Sequence, residues 1–246
     1  MRRIMLIIAY QGTNYCGWQK QIGQKTVEGT INKALSDLFA KEIEVIGASR
    51  TDTGVHAKGN VAIFDTDNMS IPAEKIAYAL NVRLPLDIRV QSSKEVREDF
   101  HTRYDKNRKN YTYKILNKAI EMPIYREYTY HVHSDIDISL MRIASKYLIG
   151  EHDFKAFCSA NTEVKSTVRT IYDISIDRDE EDIISISIEG NGFLYNMVRI
   201  IVGTLLQVGT GKISVDQVKM ILDSKNRDNA GPTAPAKGLI LDRILY

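Results

Sequence analysis

The order of hydrophobic periods along the first hundred residues restricts this chain to few folds. Ile4 to Tyr10 is an apolar run of strand length. From Val27 the spacing becomes helical, with Ile31, Ala34, Leu35, Leu38 and Phe39 on one face and Thr26 placed as an N-cap. Ile43 to Ala48 and Val61 to Thr66 read as strands. Ser70-Ile71-Pro72 then opens a second helix, with Pro72 near its first turn and Ile76, Ala77 and Leu80 facing inward. Ile88 to Val96 is a further strand. A β-α-β-β-α-β order of this kind predicts a ferredoxin-like unit.

A second α+β half begins near Tyr104. Tyr111, Tyr113 and Ile115 alternate with Thr112 and Lys114, as a half-buried strand requires. Tyr128 to His133 reads as a strand, and Leu140 to Leu148 as an amphipathic helix closed by Gly150. Val168 to Ile176 and Ile183 to Ile188 are β-rich and flank the acidic turn 177–182. Asn196 to Val208 is helical and apolar nearly all round, so it is expected to be buried. Ser214 and Gln217 form a capping box for a last helix ending near Leu222. Residues 224–237 read as a long loop and Leu239 to Leu245 as the closing strand. The expected organisation is two α+β domains with largely antiparallel sheets, residues 1–103 and 104–246.

Composition excludes several classes. A chain of 246 residues that is 43% apolar can bury a core, which argues against disorder. The most apolar stretch, Ile200 to Leu206, is closely bounded by Arg199 and Gln207, too short to span a bilayer. The run after Met1-Arg2-Arg3 stops at Tyr10-Gln11-Gly12 and reads as a strand rather than a signal peptide. Cys16 and Cys158 are the only cysteines and have no metal-ligand spacing, which fits reduced thiols and a cytoplasmic protein. A formal charge of +2 hints only weakly at an anionic partner. Arg103, Lys106, Arg108 and Lys109 cluster before a strand, where a solvated loop is the default reading.

Three places carry candidate chemistry. In Ser49-Arg50-Thr51-Asp52-Thr53-Gly54-Val55-His56, Asp52 lies on a polar loop between two strands. A carboxylate beside a guanidinium stays ionised, which suits a nucleophile or base rather than a proton donor. Gly54 lets the backbone turn sharply after it. An ordinary loop with a surface ion pair explains these eight residues equally well. In the apolar helix, Asn196, Arg199, Gly203 and Gln207 share one stripe, so Arg199 must face a carboxylate or a polar cleft. A structural ion pair satisfies that requirement too. Tyr111 sits on a strand face where core packing is the default role of a tyrosine.

The five histidines show no zinc spacing, and Gly209-Thr210-Gly211-Lys212 lacks the Walker spacing. Neither a metal nor a cofactor is therefore expected, and the histidines are expected at polar surface.

The octapeptide around Asp52 resembles the G-R-T-D-A-G-V-H signature of the tRNA pseudouridine synthase A family, with Ser49 and Thr53 as the departures. Tyr10-Gln11-Gly12-Thr13 through Gly17-Trp18-Gln19 resembles its opening Y-D-G-T…G-W-Q, with Gln11 in place of the usual aspartate. Phe100-His101-Thr102-Arg103 resembles F-H-A-R, and Phe193 to Gly203 resembles F-x-x-x-M-V-R-x-I-V-G. Gly150 to Phe154 and Thr167 to Arg169 resemble later paired motifs, and Thr233 to Leu239 resembles T-A-P-A-x-G-L. Several motifs in the right order are far more specific than one loop.

The resemblance implies the pseudouridine synthase fold, two halves meeting at a central cleft. It implies isomerisation of uridine to pseudouridine at positions 38 to 40 of the tRNA anticodon arm, by a homodimer without a cofactor. Asp52 would be the catalytic residue, and Tyr111, Arg50, Arg199 and Leu239 would bind substrate. Within the family pattern Tyr111 meets the target uracil, Tyr113 is a framework tyrosine and Arg199 pairs with Asp52. Two other classes remain for comparison. Asp52-Thr53-Gly54 is also the triplet of half-length aspartic proteases, but those share one proton between two carboxylates, which Arg50 would oppose. A non-catalytic RNA-binding module on a ferredoxin-like scaffold needs exposed aromatics on its sheet and no Arg–Asp pair.

Overall fold

A computed structural model describes residues 1–159 and 164–246. The chain forms two compact units, residues 1–107 with 240–246, and residues 108–239. No helix among the described residues is long and apolar enough to cross a membrane.

The first unit contains strands β1 (Arg2–Tyr10), β2 (Ile46–Gly47), β3 (His56–Thr66) and β4 (Ile88–Val96), with helices α1 (Val27–Phe39) and α2 (Ile76–Asn81). β1 is central and runs antiparallel to both β3 and β4, with Ile4 opposite Phe64 and Glu95. β2 lies antiparallel against β3, so the strand order is that of a ferredoxin-like sheet. Ile4, Leu6 and Ile8 of β1 are fully buried, as are Ile31 and Leu35 of α1 and Leu80 of α2. α1 starts where Thr26 accepts a hydrogen bond from Gly29 N, 3.2 Å away.

The strand expected over Ile43 to Ala48 contracts to Ile46–Gly47. Side chains of α1 explain the loss: Ser36 Oγ takes Ile43 N–H and Asn32 Oδ1 takes Val45 N–H, each at 3.0 Å. Those amides are satisfied by the helix and do not enter a ladder. The strand β10 (Leu239–Leu245) also differs from expectation in where it belongs. Its residues 240–246 pack with the first unit, because Ile240 and Leu241 pair in parallel with His56 and Ala57 of β3. Lys58 and Asp242 form an ion pair at 2.7 Å, and Tyr246 donates its hydroxyl proton to Thr102 O at 2.7 Å. The division of the chain is thus not the single cut at 103/104 that the sequence suggests.

The second unit is built on β5 (Arg108–Leu116), β6 (Tyr130–His131), β7 (Gly150–Asp153), β8 (Val168–Arg178) and β9 (Ile183–Gly190). They form an antiparallel sheet in the order β5-β9-β8-β7, with β6 added in parallel to β5. Helices α3 (Ile138–Ser145), α4 (Met197–Gly209) and α5 (Val215–Ser224) complete the unit. The strand expected over Tyr128 to His133 is only two residues long, since Tyr128 N and Thr129 N both bond Tyr125 O at 3.0 Å. α4 is buried on nearly every side, as its sequence requires. The capping box of Ser214 and Gln217 is present on α5, which runs on to Ser224. The stretch read as a long loop contains two short 3-10 turns, Arg227–Asn229 and Ala236–Gly238.

Candidate active site

In the first unit, Asp52 lies on the loop that joins β2 to β3, half-buried, with exposed Arg50 two residues before it. Asp52 O accepts from Val55 N at 3.1 Å, closing a turn that Gly54 makes possible with φ of +79°. The loop rests on the segment after β1. Trp18 donates its amide proton to Thr51 O at 3.0 Å, and the indole is fully buried. Tyr15, also buried, donates its hydroxyl proton to Asp87 Oδ1 at 2.7 Å; burial first, and this bond second, push its phenol well above the usual range. The Asp52 loop is therefore seated on a buried aromatic bed.

His56 does not lie at a polar surface. It is 3% exposed, and its Nδ1 accepts from Gly12 N at 3.1 Å. Its task is to tie the start of β3 to the turn after β1. Gln11 stands at the N-terminal side of that same turn, and its side chain reaches only Thr13 Oγ1, at 3.5 Å.

In the second unit the structure brings Arg199 and Tyr113 to the segment leading to Leu239, and Tyr111 to Phe193. Tyr111 on β5 is 7% exposed and meets the Phe193 ring edge-on, with centroids 5.3 Å apart and planes at 87°. Such a pair holds both rings at a defined angle. Arg199 is half-buried on α4; its Nε donates to Ala234 O at 2.7 Å and its Nη1 to Asn196 Oδ1 at 2.8 Å. Asn196 has a left-handed backbone at φ of 60° just before α4, and its carboxamide serves Arg199 instead of capping the helix. Tyr113 donates its hydroxyl proton to Pro235 O at 2.7 Å. Burial raises its phenol pKa strongly, partly offset by the Arg199 cation, so it stays a neutral donor. Leu239 is 5% exposed at the start of β10.

Asp52 and Arg50 thus belong to one unit, and Tyr111, Arg199 and Leu239 to the other. The basic cluster is partly occupied: Arg103 Nε donates to Gly47 O at 2.9 Å, and Arg108 pairs with Glu189 at 3.2 Å and covers the Tyr172 ring. Among the described residues no group of three His, Cys, Asp or Glu side chains could hold a metal ion. Sequence reasoning missed the roles of Tyr15 and Trp18. The aromatic content of a stretch too short for a strand or helix was the available signal.

A family model described as tRNA pseudouridine synthase matches residues 6–105 and 144–246. The chain is 52% identical over 246 residues to tRNA pseudouridine synthase A of Thermoanaerobacter sp. (strain X514), with 100% of both chains covered. It is 50% identical to tRNA pseudouridine synthase A of Acetivibrio thermocellus and 48% identical to that of Clostridium acetobutylicum, again over 100% of each. A chain in the crystal structure of the archaeal box H/ACA sRNP Nop10–Cbf5 complex aligns with 97% of this chain and 45% of its own. At 9% identity and a TM-score of 0.36 it is too distant to add to the assignment. Full-length identity of about one residue in two, together with the family model over most of both units, makes this chain a member of the tRNA pseudouridine synthase family.

Proposed function

We propose that the protein isomerises uridine to pseudouridine at positions 38 to 40 in the anticodon arm of tRNA. The observation that carries this reading is the Arg50-Thr51-Asp52 loop, which places a carboxylate two residues after an exposed arginine on a turn held by backbone hydrogen bonds, in a chain of this family. In the reaction the N1–C1′ bond breaks and a C5–C1′ bond forms, while a proton leaves C5 and one is gained at N1. Atoms and electrons balance within the substrate, so no redox partner or group donor is needed.

Asp52 supplies the anionic oxygen. That oxygen serves attack at C1′, attack on the uracil ring or removal of a sugar proton, and all three need an ionised carboxylate. The target base must leave its stack, at a cost of a few kcal/mol. Tyr111 is assigned to the face of the displaced uracil, a role its fixed ring orientation supports. Arg199 is assigned as the charge partner of Asp52, on the strength of the family resemblance. Arg50 is assigned to the gap left by the base or to a phosphate, and Leu239 to apolar contact with the substrate. Homodimer formation and a cytoplasmic location belong to the same reading.

The test is pseudouridine mapping by carbodiimide modification and primer extension on an unmodified tRNA transcript incubated with the protein. New stops at positions 38 to 40 are expected. A transcript left unmodified, or modified only outside the anticodon arm, refutes the assignment. Arg199→Lys in the same assay should lower turnover well beyond tenfold, because an ammonium cannot reproduce the guanidinium's bonds to Ala234 O and Asn196 Oδ1.

A further inference from the structure

Around Asp52 burial alternates along the chain: Ser49 and Thr51 are 7% exposed, while Arg50 is exposed and Asp52 half-exposed. Alternating burial is what side chains on opposite sides of the chain give, so holding 49 and 51 inward leaves 50 and 52 facing outward. Three buried polar groups do the fixing. Tyr10 Oη and Thr51 Oγ1 are hydrogen-bonded at 2.7 Å. Asn60 of β3, with no exposed surface, donates from Nδ2 to Ser49 O at 3.0 Å and to Tyr10 Oη at 3.4 Å. Its Oδ1 accepts from Val61 N at 2.9 Å, and the Tyr10 ring lies against Trp18 with centroids 5.9 Å apart. Thr51 is thus held at its side chain by Tyr10 and at its carbonyl by Trp18 N. A fully bonded buried network of this kind admits one geometry, because each alternative strands a polar group away from water.

We infer that Tyr10 and Asn60 are positioning residues for the reaction, acting through Thr51 and Ser49 to aim Asp52 out of the core. The inference rests on the reading of Asp52 as the reacting group. It separates two tasks of the loop: Asp52 does chemistry, and the buried neighbours set its direction. A displacement of ~1 Å at a reacting group costs up to about 10²-fold in rate. Removing the Thr51 hydroxyl should therefore lower kcat and leave tRNA affinity intact.

The experiment compares Thr51→Val, Thr51→Ser, Tyr10→Phe and Ser93→Ala as full-length proteins, with single-turnover pseudouridine formation, tRNA filter binding and melting temperature measured for each. Ser93 is a control buried in the same unit, on β4 opposite Leu6 and bonded to Ala73 O and Ala77 N. Thr51→Val and Tyr10→Phe should each slow the chemical step about 10- to 100-fold with tRNA affinity within twofold of wild type. Thr51→Ser, which keeps the hydroxyl, should recover most of the rate. Ser93→Ala should lower the melting temperature without slowing the step. If Thr51→Val does not fold, Tyr10→Phe decides alone. Rates within twofold of wild type in Tyr10→Phe overturn the inference. So does a rate loss in Ser93→Ala equal to theirs, which would make the effect one of stability. A wild-type protein that modifies no tRNA fails at the earlier reading and not at this one.

Discussion

Gly203→Ala tests whether the packing of α4 against the segment before β10 is as tight as the geometry requires. A Cβ at Gly203 would overlap Pro232 O and lie 2.9 Å from Pro232 C, against a normal carbon–carbon contact of about 3.5–4.0 Å. Both neighbours are backbone atoms, so no rotamer change relieves the clash, and residues 232–234 must move away from the helix. That movement disturbs two bonds, Gly231 N to Thr204 Oγ1 at 2.9 Å and Ala234 N to Arg199 O at 3.1 Å. Overpacking costs about 1–3 kcal/mol. The two hydrogen bonds add about 1–3 kcal/mol, and the helix preference of Ala over Gly returns about 1 kcal/mol. The net is a destabilisation of about 1–5 kcal/mol, equivalent to ~2–20 °C in melting temperature for a chain of this size. Because Ala234 O also holds Arg199 Nε, pseudouridine formation should fall at temperatures where the variant is still folded. Calorimetry with parallel rate measurements checks both halves. A melting temperature unchanged or raised, which helix propensity alone would give, refutes the packing argument.

Asp52→Asn keeps the shape of the side chain and removes its charge; turnover should vanish while tRNA filter binding persists, and residual turnover in carefully purified variant contradicts the assignment. Tyr111→Phe keeps the ring against Phe193 and loses only the hydroxyl; the expected loss in single-turnover rate is on the order of 10²–10⁴-fold if the phenol moves a proton, and a wild-type rate returns Tyr111 to packing. Asp153 has its pKa lowered chiefly by the Thr167 hydroxyl, then by Lys225 and the Lys155 amide, against an opposing effect of burial. A carboxyl depressed in the folded state stabilises the fold above its unfolded pKa, and that contribution is lost as pH falls through the folded value. Urea midpoints measured between pH 7 and pH 3 should therefore drop more for wild type than for Asp153→Asn.

Local signals made much of this fold legible. Thr26, and Ser214 with Gln217, mark helix starts because a cap is a contact between residues three apart. The alternation at Tyr111, Tyr113 and Ile115 marks β5 because a strand's faces repeat every two residues. What the chain alone did not disclose depends on distant partners. β2 shrinks because Asn32 and Ser36 of the preceding helix capture amides that a propensity reading assigns to a ladder. The return of residues 240–246 to the first unit depends on pairing with His56 and Ala57, far away in sequence. The same holds at the candidate site. The loop around Asp52 stands out as polar residues between two apolar runs. Tyr10 and Asn60, which hold it, read as ordinary strand positions, because nothing local distinguishes a core tyrosine from one whose hydroxyl fastens a loop.

The first unit is discontinuous in the chain, and this sets an order of events during synthesis. A ribosome finishes residues 1–107 and must then make all of 108–239 before the segment that completes β3's edge emerges. At ~5–20 residues per second that interval is about 7–25 s. Throughout it, His56 and Ala57 lack Ile240 and Leu241, and Lys58 lacks Asp242. The bed under the Asp52 loop is encoded early, and the strand beside the loop's exit arrives only at the end. A chain released early would carry every residue of the Arg50-Thr51-Asp52 loop and still present an open sheet edge next to it, a template for pairing with another chain.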